Sequence, residues 1–180
     1  MSDIASPDRR IRKTKVALSG ALMGLLRKVP WDDITIQMIC DRADVARSSF
    51  YAHFDGKVDL LDHVIAVELA GVQARPARQG ELQSLRWLVD HILSDRPFFA
   101  RMAASHAGQV VFSRFRLAVR HMVQDELAQR QPPVPDYLAG YIVGGSFEVI
   151  QRWTIAPEGQ SAEGLMQAVQ HLAARLLDGH

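Results

Sequence analysis

Five side chains near residue 50 have the chemistry needed to read the edges of DNA bases. Arg47, Ser48, Ser49, Tyr51 and His53 all carry hydrogen-bonding groups, and none of them is acidic. On a short helix they would project together, away from the apolar positions. An α-helix fits the major groove of DNA, where arginine can bind guanine and serine can bond to several bases. We therefore predict that this face contacts DNA.

Two short helical patterns must position that face. The first spans residues 36–43, is apolar at every third or fourth position, and follows Thr35, a good N-cap residue. Asp44 interrupts the pattern, and a second helix is predicted over residues 47–54. The inward side chains of the second helix are predicted to be Val45, Phe50 and Phe54. The pair is typical of a helix-turn-helix, and the predicted DNA contacts include Thr35 and Gln37 on its first helix.

The stretch from Arg12 to Leu61 resembles the DNA-binding domain of the TetR family of bacterial transcriptional regulators. The resemblance rests on an amphipathic first helix, on ITIQMICDRADV and on SFYAHFDGKVDLL. Asp44 stands where the family usually has Gly, and Asp tolerates a left-handed backbone comparatively well. Ala46 stands where the family usually has Ser or Thr, so the usual side-chain cap of the recognition helix is missing. The resemblance implies a dimeric regulator of transcription.

Basic residues around the start of this stretch could bind phosphates. Although the formal charge is only 21 − 20 = +1, five residues in seven are basic, namely Arg9, Arg10, Arg12, Lys13 and Lys15. We expect a phosphate- or minor-groove-contacting arm, the alternative being a solvated helix start. This first helix is predicted over residues 8–28, with its buried stripe at Ile11, Leu18, Ala21, Leu22, Leu25 and Leu26, and Trp31 in the core. Lys57, at the start of a fourth helix, is predicted to share a phosphate with the helix N-terminus.

The remainder reads as further helices, so the fold class is all-α. Residues 8–54 are predicted to form a three-helix DNA-binding domain, and residues 55–180 an antiparallel effector-binding and dimerisation bundle. Residues 74–80 are predicted to be a loop, and Gly108 to separate two helices. Aromatic and polar side chains in the bundle predict an effector pocket of Trp87, His91, Phe98, Met102, His106, Phe112, Tyr141 and Phe147.

The last two helices are predicted to form the dimer interface. Residues 136–154 are apolar nearly all round, which indicates burial on two sides, and the final helix carries a matching stripe. The predicted interface residues are Tyr137, Gly144, Gly145, Glu148, Leu165, Val169, Leu172 and Leu176. The Gly pair ahead of Ile150 and Trp153 also resembles a TetR subgroup that includes regulators of dihydroxyacetone metabolism, one of which works with a protein coactivator.

Other function classes lack their motifs. The sequence has no Gly-rich phosphate loop, nucleophile elbow or paired cysteines, and no two histidines at i, i+4, so we expect no enzyme, cofactor or metal site. The single Cys40, together with the absence of a long apolar run, predicts a cytoplasmic protein with no leader and no membrane span. The expected partners are a near-palindromic DNA duplex, a second copy of the chain, and an unidentified small-molecule effector. Control by a partner protein in place of the effector is the alternative, and the sequence does not decide repressor from activator.

Overall fold

The described residues are helical and contain no strand. The computed structural model describes residues 7–73, 82–106, 108–130, 134–156, 159 and 161–178. The chain divides into two compact units, Met1–Val67 and Glu68–His180. The all-α class predicted from the sequence is therefore confirmed for the described residues.

The first unit contains three helices and the start of a fourth. They are α1 (Pro7–Leu26), α2 (Ile36–Ala43), α3 (Arg47–Tyr51) and α4 (Lys57–Gln73), with a single turn of 3-10 helix at Trp31–Asp33 between α1 and α2. Helix α2 packs against both α1 and α3. Leu18, Leu22, Ile39, Phe50 and Leu60 are completely buried and form the centre of the core.

Most sequence expectations for this unit are met, with two corrections. Trp31 is buried with 3% of its surface exposed, as predicted, but Ile11 is 41% exposed because it lies one to two turns before the buried stripe begins at Leu18. Helix α3 ends at Tyr51 and not at Phe54. The chain still turns toward the core after α3. The Phe54 amide donates to the Phe50 carbonyl at 3.0 Å, and the Phe54 ring is buried.

The second unit is a bundle of five helices in its described residues. They are α5 (Gln83–Ser94), α6 (Arg96–Ala104), α7 (Gly108–Ala128), α8 (Asp136–Ile155) and α9 (Ala162–Asp178). Helix α7 packs against α5, α6 and α8, and α9 packs against α5 and α8. The predicted loop at residues 74–80 lies outside the described residues.

Helix α7 begins at the glycine that was predicted to separate two helices. The Gly108 amide donates to Ser105 Oγ at 2.9 Å, and Ser105 Oγ donates to the Met102 carbonyl at 3.1 Å. A Cβ at residue 108 would collide with that backbone carbonyl. Gly108 is therefore required by the close approach of α7 to the end of α6.

Candidate functional site

The junction of α2 and α3 has the caps that the sequence predicts. Thr35 Oγ1 accepts from the Met38 amide at 3.1 Å and caps α2. Asp44 has φ 53° and ψ 49°, which is the left-handed conformation that ends α2. Ala46 is the N-cap of α3 and gives it no side-chain cap, as expected from its missing hydroxyl. A three-residue turn thus sets α3 against α2.

The outer face of α3 presents polar side chains to solvent. Arg47, Ser48 and Tyr51 are exposed, whereas Ser49 and His53 are half-buried. Arg47 Nη2 donates to Tyr51 Oη at 3.2 Å, and its guanidinium carbon lies 5.6 Å from the centre of the Tyr51 ring. The tyrosine therefore limits the rotamers of the arginine while leaving most of its N–H groups available.

Two predicted contacts on α2 are already used within the helix. Thr35 Oγ1 is occupied by the cap, and Gln37 Nε2 donates to Asp41 Oδ1 at 2.6 Å. Both side chains are exposed. Any contact that Gln37 makes with DNA would have to compete with its bond to Asp41.

The basic run lies on a helix and not on an extended arm. Arg9, Arg10, Arg12 and Lys13 are all exposed residues of α1, which begins at Pro7. The positive charge is therefore concentrated on the first turns of that helix. This arrangement suits binding to a row of phosphates better than insertion into a narrow groove.

Lys57 does not extend freely from the start of α4. Its Nζ donates to the carbonyls of Trp31 at 2.8 Å and Ile34 at 2.9 Å, and it lies 4.7 Å from the centre of the Trp31 ring. The predicted phosphate contact would have to compete with these internal partners.

An aromatic cluster occupies the second unit, and we use this term for Trp87, His91, Phe99, Phe115 and Phe147. His91 stacks on Trp87 with ring centres 4.6 Å apart and an interplanar angle of 16°. It also meets Phe99 at 5.1 Å and Phe115 at 5.6 Å, and Phe115 meets Phe147 at 6.1 Å. Burial lowers the pKa of His91, against a weaker opposing effect of Glu68. A neutral imidazole in this setting has an apolar face and a hydrogen-bonding edge.

The structure brings together only part of the predicted effector pocket. Phe98, Met102, Phe112 and Phe147 are buried, whereas Trp87 and His91 are half-buried. His106 is exposed, and Tyr141 is 67% exposed and lines a surface groove. Neither side chain lies with the buried members of the predicted pocket, and their part in an effector site stays a prediction.

The pocket prediction also omitted two members of the aromatic cluster, Phe99 and Phe115. The signal for Phe115 was available, because it lies at helical spacing from the buried Phe112 and Val119. Phe99 follows Phe98 on the same short helix, and no sequence pattern separates the two.

An apolar groove runs between α8 and α9 and holds most of the predicted dimer residues. Its volume is about 580 Å³, and its lining includes Gly144, Gly145, Val169, Leu172 and Leu176, with Tyr141. A Cβ at Gly144 or Gly145 would meet no atom of the described residues within 4 Å, apart from the adjacent residues and the backbone of its own helix. The glycines therefore widen a surface channel within the single chain.

The other predicted dimer residues differ in their access to a partner. Tyr137 is 64% exposed, and the exposed Glu148 pairs with Arg152 at 3.9 Å. Leu165 is completely buried inside its own chain, and its place at the interface stays a prediction. Leu165 lies on the side of α9 that faces the core, whereas Leu172, which is 59% exposed, lies on the side that faces solvent.

A half-buried carboxylate joins α7 to the start of α5. Glu126 Oε1 accepts from the Ser84 amide at 2.8 Å and from Ser84 Oγ at 2.6 Å. Burial raises the pKa of Glu126, while these hydrogen bonds lower it by less. Gln170 of α9 completes the arrangement by bonding both the amide and the carbonyl of Leu82. No local sequence pattern predicts this cap, although Glu126 is an acidic residue beside the buried Leu127.

The described residues offer no sign of a metal centre or a membrane helix. They contain no group of three His, Cys, Asp or Glu side chains that could hold a metal ion. None of their helices is both long and apolar enough to cross a bilayer. Cys40 is buried, and burial raises the pKa of its thiol, with the charge of Asp41 adding to the effect. A thiol of this kind is poorly reactive.

Residues 20–64 match the family model described as "Bacterial regulatory proteins, tetR family". This segment contains α2, α3 and the junction between them, so the match confirms the resemblance noted in the sequence. The similarity to that family covers residues 20–64 of this chain. No curated protein matches the sequence.

Three solved structures have a similar fold along most of the chain. A TetR transcriptional regulator from Streptococcus agalactiae 2603V is 23% identical, with 92% of this chain and 96% of that chain covered and a TM-score of 0.66. The dihydroxyacetone kinase operon activator DhaS is 14% identical over 92% and 96%, with a TM-score of 0.56. Thermus thermophilus FadR, a TetR family transcriptional repressor in complex with lauroyl-CoA, is 15% identical over 88% and 92%, with a TM-score of 0.52. At these identities the likeness concerns the fold.

Proposed function

We propose, from the membership of residues 20–64 in the tetR family of bacterial regulatory proteins, that this chain is a sequence-specific DNA-binding regulator of transcription. The observation that carries the proposal is the exposed polar face of α3, set by a capped turn, in the same unit as the basic start of α1. Arg47 reads a base edge in this proposal, and Ser48, Ser49, Tyr51 and His53 bond to neighbouring bases or phosphates.

The protein acts as a homodimer in this proposal. Support comes from the groove between α8 and α9, whose exposed Leu172 and Tyr141 would remain in water in a single chain. Exposed apolar patches on soluble proteins commonly mark interaction surfaces. Two copies related by a two-fold axis would match a near-palindromic operator, with recognition helices on the order of 34 Å apart.

A small-molecule effector controls operator binding in this proposal, which makes the protein a ligand-responsive repressor. Support comes from the aromatic cluster, whose His91 offers a polar edge among four apolar rings. A regulator of similar fold, Thermus thermophilus FadR, has lauroyl-CoA as a ligand. Because α4 belongs to both units, a ligand that shifts α4 would change the spacing of the two recognition helices.

The test combines gel retardation with sedimentation. At low salt the protein should retard part of a random duplex pool, and it should sediment as a dimer at micromolar concentration. Arg47→Ala should keep the dimer and relax the sequence preference of the retained pool. A monomer that retards no duplex at low salt would refute the proposal.

A further inference from the structure

The ammonium group of Lys57 is held at three points inside the first unit. It donates to the carbonyls of Trp31 and Ile34, at 2.8 and 2.9 Å, and it faces the Trp31 ring at 4.7 Å. Hydrogen bonds from a charged donor are stronger than neutral ones, and tryptophan is the best aromatic partner for a cation. The side chain is half-buried, so these contacts also replace part of its hydration.

These contacts join two segments that are distant in sequence. Ile34 directly precedes Thr35, the N-cap of α2, and the Ile34 amide donates to the Trp31 carbonyl at 3.2 Å. Lys57 is the first residue of α4. One side chain therefore fastens the entry of α2 to the beginning of α4.

The entry of α2 matters for recognition because little flexibility separates it from α3. Helix α2 has eight residues, and it ends at Asp44 in a left-handed conformation. Arg47 follows after only two more residues. A change in the direction of α2 would therefore move the guanidinium of Arg47 relative to the basic start of α1, the other proposed DNA-binding surface of the first unit.

We propose that Lys57 is a positioning residue for DNA recognition, which fixes the entry of α2 and through it the direction of α3, and that it does not supply a phosphate contact. The inference rests on the proposed DNA-binding function. It differs from the sequence-based expectation for Lys57, and the two roles make opposite predictions for salt dependence and for the variant Lys57→Arg.

Salt titrations of operator affinity separate the two roles. Each phosphate contact contributes about 0.9 to the slope of log affinity against log salt. In the positioning role, Lys57→Met should lower affinity for the operator by about tenfold, because Arg47 is misdirected, and leave the slope unchanged. Lys57→Arg should lose affinity as well, because a planar guanidinium cannot replace a compact ammonium between two carbonyls. A slope reduced by about 0.9 for Lys57→Met, with full affinity for Lys57→Arg, would overturn the inference.

The matched control is Lys13→Met, which removes an exposed lysine of α1 from the proposed phosphate-binding surface. This variant should flatten the slope by about 0.9, which shows that the titration resolves a single contact.

Hydrogen exchange in the free protein tests the same role without DNA. The amides of Met38 and Ile39 bond to the side chain and carbonyl of Thr35, at 3.1 and 3.2 Å. In Lys57→Met both should exchange about tenfold faster, while Leu22 in the middle of α1 keeps its rate. Unchanged exchange at Met38 and Ile39, or equal acceleration at Leu22, would overturn the inference. Lys57→Arg serves for the same measurement if Lys57→Met does not fold. If the wild-type protein binds no duplex, the proposed function fails, whereas the exchange result still decides whether Lys57 fixes α2.

Discussion

Alanine at residue 145 should stabilise the single chain, because helix α8 gains propensity there without losing any packing. Among the described residues, no atom outside the adjacent residues and the backbone of its own helix lies within 4 Å of the position that a Cβ would take at Gly145. Replacing a helical glycine by alanine is worth about 1 kcal/mol when no contact opposes it. Gly20 of α1 has equally open surroundings and supplies the matched control.

Leucine at the same residue should weaken the dimer. Gly145 lines the groove between α8 and α9, and a second copy that seats there would approach its backbone closely. Overpacking of an interface of this kind costs about 1 to 3 kcal/mol, which corresponds to an increase of roughly five- to 150-fold in the dimer dissociation constant. Operator affinity should fall with it, since a palindrome rewards two linked half-sites.

The assay measures three quantities for Gly145→Ala, Gly145→Leu and Gly20→Ala. Urea unfolding below the dimer dissociation constant gives the stability of the chain, sedimentation gives dimerisation, and fluorescence anisotropy gives operator affinity. Gly20→Ala should raise stability and leave dimerisation unchanged. The reasoning is refuted if Gly145→Leu dimerises as tightly as the wild type, or if Gly145→Ala lowers the stability of the monomer.

Three further variants test other parts of the account. Gly108→Ala should lower the free energy of unfolding by about 1 to 3 kcal/mol in urea titrations, because its Cβ collides with the Met102 carbonyl; unchanged stability would contradict this. Burial raises the pKa of Glu126, so the wild type should lose stability as the pH rises from 4.5 through that raised pKa. Glu126→Gln, which can still accept from Ser84, should flatten the pH profile of the urea midpoint over that window, and parallel profiles would count against the raised pKa. Arg47→Ala should cost about 1 to 3 kcal/mol of binding free energy at one base pair in competition assays, and an even loss across all sequences would exclude base reading.

Local rules account for what the sequence predicted well. The side-chain cap at Thr35, the missing cap at Ala46 and the left-handed Asp44 depend on residues within three or four positions of each other, so they could be predicted from neighbours alone. Helical spacing also predicted that Phe50 and Phe54 both face the core, and both are buried. The same spacing predicted a helix that is too long. A turn after Tyr51, where α3 ends, can also direct the Phe54 side chain toward the core.

Contacts between distant residues account for what the sequence did not predict. The acceptors of Lys57 lie 23 and 26 residues before it, and Ser84 lies 42 residues before Glu126. No local pattern encodes such pairs. The exposure of Tyr141 could not be predicted for another reason. Helix α8 is apolar nearly all round, so its composition does not tell which side faces the core and which side faces the groove.

Selection of bound sequences from a random duplex pool tests the central claim most directly. The account predicts that the purified protein enriches one near-palindrome, with half-site centres about 10 base pairs apart or a multiple of that spacing. Arg47→Ala should lose the preference at the same position in both half-sites. Enrichment of no sequence by the wild-type protein, or of a single asymmetric site that Arg47→Ala selects equally well, would contradict the account.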